Sequence, residues 1–208
     1  MKDAGNKNNI EAVIFDFGGV IIDNPLPGML NYSANFLKVP LESFDGARKK
    51  YLGDFARGKL PEAEFWKRIC GELGIKVPQT NCSIWGAAFF HNYLLRDSML
   101  DFVASLQENG YKTGLISNTE PPALGSFVED VRGRFDSCIY SCGVGYIKPE
   151  EKIYRCALEH LKVAPPSAVF IDDIAEYVQG ARSVGMQGIQ FHSEEQIKEE
   201  LAGLGVKV

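Results

Sequence analysis

The clearest apolar signal in the chain is the unbroken run Ala12-Val13-Ile14-Phe15, which gives way to Asp16-Phe17-Gly18-Gly19-Val20. A continuous apolar run of this length predicts a strand buried on both faces, the condition of a parallel sheet. Asp is disfavoured inside strands, and glycine lets the backbone turn sharply and approach a ligand closely. The Asp16 carboxylate is therefore expected at the carboxyl end of a central strand over residues 10–17. Residues 1–9, polar throughout, are expected to form a frayed leader.

From residue 21 to about residue 96 the pattern changes. Pro25, Pro27 and Gly28 break the chain, and the segments that follow carry helical periodicity. Over residues 62–73, Phe65, Trp66, Ile69, Cys70 and Leu73 share one face of a helix, with Gly74 after its end. Residues 84–95, rich in alanine and aromatics, predict a second buried helix, in which Trp85, like Trp66 before it, reads as packing. After Asp97 the α/β alternation returns. Helices are expected over 99–109, from Pro121 and Pro122 to about 131, over 150–161, and from 174 to about 184. Strands are expected over 111–116, 137–141, 168–171 and 188–191. Ser193 predicts the N-cap of a terminal helix, with Gln196 as its capping-box partner.

A strand–helix–strand crossover needs only a few tens of residues, whereas the second strand begins near Tyr111. That excess is too long and too patterned for a loop. The expected fold is α/β: a Rossmann-like parallel sheet core, residues 1–22 and 97–208, with an inserted all-α cap domain, residues 23–96.

Composition narrows the class. With 208 residues, 45% hydrophobic and 24% charged, the chain can bury a sizeable core. A net charge of −5 and the lack of a Lys/Arg stripe argue against nucleic acid as a partner. No stretch approaches the ~20 apolar residues of a membrane span. The five cysteines are odd in number and lack metal-binding spacing, so reduced thiols and a cytoplasmic location are expected. His91, His160 and His192 lie far apart, which leaves no histidine-based metal site.

The chemistry sits where strands end. Asp16, Ser117 and the pair Asp172-Asp173 each terminate an apolar run, and Lys148 follows the short strand at 137–141. In a parallel sheet these ends share one edge, so side chains distant in sequence can converge. Clustered carboxylates repel one another, and burial raises their pKa values further, so they need a cation. Oxygen ligands without histidine or cysteine suit Mg²⁺, whose shell is commonly completed by substrate phosphate oxygens. Lys148 then offers a point charge to the phosphate, and Ser117 and the Asn118 region offer hydroxyl and amide donors. Asp16 remains free to attack phosphorus. Taken singly, each residue has an ordinary alternative: Asp16 in an Asx turn, Ser117 as a turn hydroxyl, Asp172-Asp173 as a helix N-cap, Lys148 as a solvated lysine at a helix start.

Together these stretches resemble the haloacid dehalogenase-like hydrolase superfamily. The matching motifs are Ile14-Phe15-Asp16-Phe17-Gly18-Gly19-Val20, Leu115-Ile116-Ser117-Asn118-Thr119, Gly145-Tyr146-Ile147-Lys148-Pro149 and Val169-Phe170-Ile171-Asp172-Asp173-Ile174. The segment Gly180-Ala181-Arg182-Ser183-Val184-Gly185-Met186 resembles the helix that follows the last motif. The resemblance implies Asp16 as nucleophile, and Ser117, Asn118 and Lys148 on the phosphate. It implies Mg²⁺ held by Asp16, the backbone carbonyl of Gly18 and Asp173, with Asp172 as a second ligand or an outer carboxylate. The implied activity is a Mg²⁺-dependent phosphatase, forming an aspartyl-phosphate on a small phosphorylated metabolite such as a sugar phosphate. A monomer or homodimer is expected.

One departure stands out. Phosphatases of the family usually carry an acid two residues after the nucleophile, and Gly18 occupies that place. General acid–base catalysis contributes ~10²–10⁴-fold. Its loss favours substrates with good leaving groups, or a replacement such as Glu120. Two other readings follow: a metal-independent 2-haloacid dehalogenase, and a catalytically silent ligand-binding relative. A phospho-receiver does not fit, because its acidic pair would lie on the first strand.

Overall fold

The computed structural model describes residues 9–125 and 131–208. The expected leader, apart from Asn9, lies outside the described residues. So do residues 126–130 of the helix expected from Pro121 to about residue 131, which opens with a 3₁₀ turn at Pro121–Ala123.

Five parallel strands build the sheet: β1 (Ala12–Asp16), β2 (Lys112–Ser117), β3 (Ser137–Tyr140), β4 (Ala168–Asp172) and β5 (Gln187–Gln190). Their spatial order is β3-β2-β1-β4-β5, so β1 is central. Every residue of β1 and β4 is buried, which is why both read as unbroken apolar runs. Successive side chains alternate between the two faces. Val13 and Phe15 join one apolar cluster, while Ala12 and Ile14 join another.

Helix α5 (Asp97–Glu108) and the terminal helix pack on the first face, through Val103, Leu106, Ile197 and Leu201. Two helices, Glu151–Leu161 and Ala175–Ser183, cover the second face with Ile153, Tyr154, Leu158 and Ala181. In chain order these are α7 and α8. They follow α6 (Ser141–Val144) and precede α9 (Glu194–Gly203). The capping box on α9 forms as expected: Ser193 Oγ accepts Gln196 N–H at 3.2 Å, and Gln196 Oε1 accepts Ser193 N–H at 3.5 Å.

Between β1 and α5 lies an all-helical insertion of α1 (Leu26–Leu37), α2 (Leu41–Ala56), α3 (Glu62–Glu72) and α4 (Ile84–Phe90). Its interior is aromatic, with Phe55 and Phe65 stacked at 4.1 Å and Trp85 edge-on to Phe65 at 5.8 Å. Helix α4 is shorter than the expected 84–95. The chain leaves the helix after Phe90 because Leu94 C=O accepts Asp23 N–H at 2.9 Å and Leu95 bridges Ile22. Tertiary pairing there overrides a favourable helical composition. The two crossings between core and insertion thus run side by side. Arg96 fastens them, donating to Asp23 Oδ1 and to Gly19 C=O, both at 2.9 Å.

The site's location follows from strand order. β1 has β2 on one side and β4 on the other, so successive crossovers diverge between β1 and β4. In open α/β sheets the crevice at that switch, beyond the carboxyl ends of the strands, is where ligands bind.

Candidate active site

Asp16, Ser117 and Asp172 are the last residues of β1, β2 and β4, and parallel pairing places all three at one edge. Lys148 reaches the same point from the loop after α6. Asn118 holds that loop: its Oδ1 accepts Lys148 N–H at 2.8 Å, and its Nδ2 donates to Lys148 C=O at 3.1 Å. The Asn118 side chain is therefore spent on positioning Lys148.

The Lys148 side chain is 1% exposed, which removes the reading of a solvated helix-start lysine. Its Nζ lies 2.5 Å from Asp16 Oδ1 and 2.6 Å from Asp172 Oδ2. The Tyr177 ring packs against the ammonium, 4.9 Å from Nζ to the ring centroid. Burial alone would lower the Lys148 pKa, but Asp16 and Asp172 outweigh it and hold it above the usual lysine value. For Asp16 the balance goes the other way. Burial raises it to about 7, Lys148 opposes the rise, and the charge of Asp172 adds to it.

Oxygens of Asp16, Asp172 and Asp173 lie within 4.8 Å of one another. Their roles differ. Asp172 has both oxygens engaged, Oδ2 by Lys148 and Oδ1 by Ile174 N–H at 2.8 Å. Asp173 Oδ1 is buried with no partner among the described residues. A buried acceptor left unpaired is costly, and burial together with Asp172 raises the Asp173 pKa. A hard cation between Asp16 and Asp173 would satisfy both, and an oxygen-only donor set suits Mg²⁺. Gly18 lines the adjoining cavity.

Gly19 makes this arrangement possible. Its φ is +94°, and a Cβ there would fall 2.4 Å from Asp173 Oδ2. Gly19→Ala is expected to displace the Asp173 carboxylate and to cost ~1–2 kcal/mol from backbone strain. Urea denaturation checks the cost: the midpoint drops.

Above these residues lies a cavity of about 350 Å³ between the sheet edge and the helical insertion. Asp16, Ser117 and Lys148 line it from the sheet, while Met29, Leu52, Trp85 and Phe89 line it from the insertion. Ser117 Oγ and Thr119 Oγ1 lie 2.5 Å apart, so two hydroxyls share this corner.

Residues 10–185 match the sequence model of the haloacid dehalogenase-like hydrolases. The chain belongs to this family.

Among its relatives is the D-ribitol-5-phosphate phosphatase of Bacteroides thetaiotaomicron, 25% identical over 92% of this chain and 97% of that protein. Bifunctional epoxide hydrolase 2 of Rattus norvegicus is 26% identical over 85% of this chain. The chain spans about a third of that hydrolase, the match covering 35% of its length. A solved enzyme of the same family from Bacteroides thetaiotaomicron, in complex with magnesium and inorganic phosphate, superposes with a TM-score of 0.72. It is 20% identical and covers 89% of this chain and 96% of its own, so it supports the fold.

Several residues of this haloacid dehalogenase-like site escaped the sequence reading. Arg48 of α2 and Tyr177 of α8 both line the cavity, and neither stands in a motif. Trp85, read as packing, is indeed 1% exposed, yet its Nε1 also donates to Glu120 Oε2 at 2.9 Å. Ser141 Oγ, another unflagged group, accepts Thr119 N–H at 2.9 Å and donates to Ala56 C=O at 2.7 Å, tying the insertion to the core. Nothing in local spacing marks such residues, because each acquires its role from a partner on another element.

Proposed function

We propose that the chain is a Mg²⁺-dependent phosphatase acting on a small phosphorylated metabolite through an aspartyl-phosphate on Asp16. The observation that carries this reading is the Lys148 ammonium between two buried carboxylates, next to the unpaired Oδ1 of Asp173. Phosphate and metal together would complete that arrangement.

Asp16 attacks phosphorus with the carboxylate oxygen that Lys148 does not hold. Ser117 Oγ, the Asn118 backbone N–H and Lys148 hold the phosphoryl oxygens as negative charge builds on them. We assign Asp16, the Gly18 carbonyl and Asp173 as metal ligands, and Asp172 as the outer carboxylate that orients Lys148. Bound there, Mg²⁺ supplies charge that offsets the carboxylates and the phosphoryl oxygens. The helical insertion, residues 23–96, serves as the cap over the site. Its cavity walls bury the leaving group and exclude bulk water. The ribitol-phosphate relative makes sugar and polyol phosphates the first substrates to assay. Five unpaired thiols suit the reducing cytoplasm, where such metabolites occur.

The test is phosphate release from a panel of sugar, nucleotide and acyl phosphates. Release is expected with Mg²⁺, with EDTA removing at least ~99% of it and excess Mg²⁺ restoring it. A 2-haloacid dehalogenase would also form an ester on Asp16, but would have no use for the orphaned oxygen of Asp173. Chloride release from a 2-haloacid in EDTA would establish that reading instead. Mg²⁺ binding by calorimetry with no turnover on any substrate would mark a silent relative.

A further inference from the structure

We propose that Glu120 is the proton donor to the leaving group, standing in for the carboxyl that Gly18 lacks. The proposal rests on the phosphatase reading and assigns that site a residue no motif supplies. Of the side chains lining the cavity, Asp16 and Glu120 are the carboxylates. Asp16 is taken up as nucleophile and by Lys148, so Glu120 is the acid left to serve the substrate.

Its placement fits the geometry of the reaction. Displacement at phosphorus puts the leaving group opposite the attacking Asp16 oxygen, directed away from the sheet edge and toward the insertion. Glu120 lines the same cavity and meets the insertion through Trp85; it lies three residues past Ser117, its backbone fixed by the 3₁₀ turn at Pro121–Ala123. One oxygen, Oε2, is held by the Trp85 indole at 2.9 Å. The carboxylate also accepts from its own backbone N–H, which holds it in place beside the cavity it lines. Because Trp85 belongs to α4, the acid is oriented only when the insertion sits over the core.

The surroundings favour a carboxyl that holds its proton. Burial raises the Glu120 pKa, opposed by the hydrogen bond from Trp85 and the charge of Arg48. Arg48 faces it from α2 and Trp85 from α4. From α6 comes Cys142, whose thiol is pushed up to about 11 by burial and by Glu120 itself. Cys142 is therefore neutral near pH 7 and adds no charge.

The steps balance. In the first, an Asp16 oxygen bonds to phosphorus, the bond from phosphorus to the leaving oxygen breaks, and that oxygen takes the Glu120 proton, leaving a free alcohol and a Glu120 carboxylate. In the second, water attacks the phosphorus of the aspartyl-phosphate and gives a proton to Glu120. The bond to Asp16 breaks, releasing inorganic phosphate and the Asp16 carboxylate.

Glu120→Gln keeps the shape and an acceptor for Trp85 while removing the acid, and single-turnover release of the leaving group is the readout. For ribitol 5-phosphate, whose alkoxide needs a proton, the rate is expected to fall ~10²–10⁴-fold. For acetyl phosphate, whose carboxylate leaves unaided, it is expected to stay within about threefold. The wild-type decline in ribitol 5-phosphate turnover as pH rises through the Glu120 pKa should vanish in the variant, while Glu120→Asp retains it. Equal losses on both substrates, or none on either, would overturn the assignment of Glu120 while leaving the phosphatase reading intact. A wild-type protein that releases nothing from acetyl phosphate would instead overturn that reading, and this assignment with it.

Discussion

Asp16→Asn is expected to abolish phosphate release, lowering turnover by at least ~10⁴-fold, the scale seen when a residue of a covalent-catalysis unit is removed. An amide oxygen is too weak a nucleophile to displace a leaving group from phosphorus, so the covalent step has no second route. The fold should survive. Asn presents an oxygen where Asp16 Oδ1 now accepts from Lys148 at 2.5 Å, and the pair between Lys148 and Asp172 at 2.6 Å is untouched. Because burial already raises Asp16 to about 7, exchanging it for a neutral amide removes a disfavoured charge at neutral pH. The melting temperature should therefore hold or rise while activity disappears. A variant that keeps more than ~1% of wild-type turnover would move the nucleophile elsewhere.

Lys148→Met should do the reverse, damaging the fold along with the site. The Lys148 side chain is 1% exposed and bridges two buried carboxylates, so its loss leaves both without a counter-charge. Removing one partner of a buried pair costs ~3–5 kcal/mol, far more than the pair itself contributes over an apolar replacement. For a protein of this size that is a fall in melting temperature of roughly 6–20 °C. The pH dependence has a definite sign. A carboxyl whose folded pKa is raised is stabilising below its unfolded value, and that stability is lost as pH rises through the folded value. Asp16 is already raised to about 7, and losing Lys148 raises it further. From Asp16, the gap between variant and wild type should therefore stay level from about pH 4 to about pH 7 and widen above pH 7, where the wild-type carboxyl ionises and the variant's does not. Thermal melts at pH 5 and pH 8 check this. A gap between variant and wild type that is the same at both would mean that the carboxylates are not held by the ammonium.

Much of the fold is written in local pattern. β1 and β4 are legible because a strand covered on both faces must be apolar along its whole length. α9 is legible because Ser193 and Gln196 satisfy the helix's first N–H groups within four residues. The insertion shows itself by length alone, the distance from Asp16 to Lys112 exceeding any simple crossover. Helix α4 misled for the complementary reason. Residues 91–95 have helical composition, but Ile22 and Asp23 recruit Leu94 and Leu95 from across the chain.

By itself, then, the sequence determined which residues stand at strand ends, and hence that Asp16, Ser117, Lys148, Asp172 and Asp173 were candidates for one site. Tertiary structure alone decided how they divide the work. It joined Lys148 to Asp16 across 132 residues of chain, committed both Asp172 oxygens and left an oxygen of Asp173 without a partner among the described residues. It also turned Asn118 onto the Lys148 backbone and set the Trp85 indole against Glu120. The physical reason is range. Hydrophobic period and capping act within a few residues, whereas a side chain's hydrogen-bond partners and its desolvation depend on strand order, register and the elements packed above it.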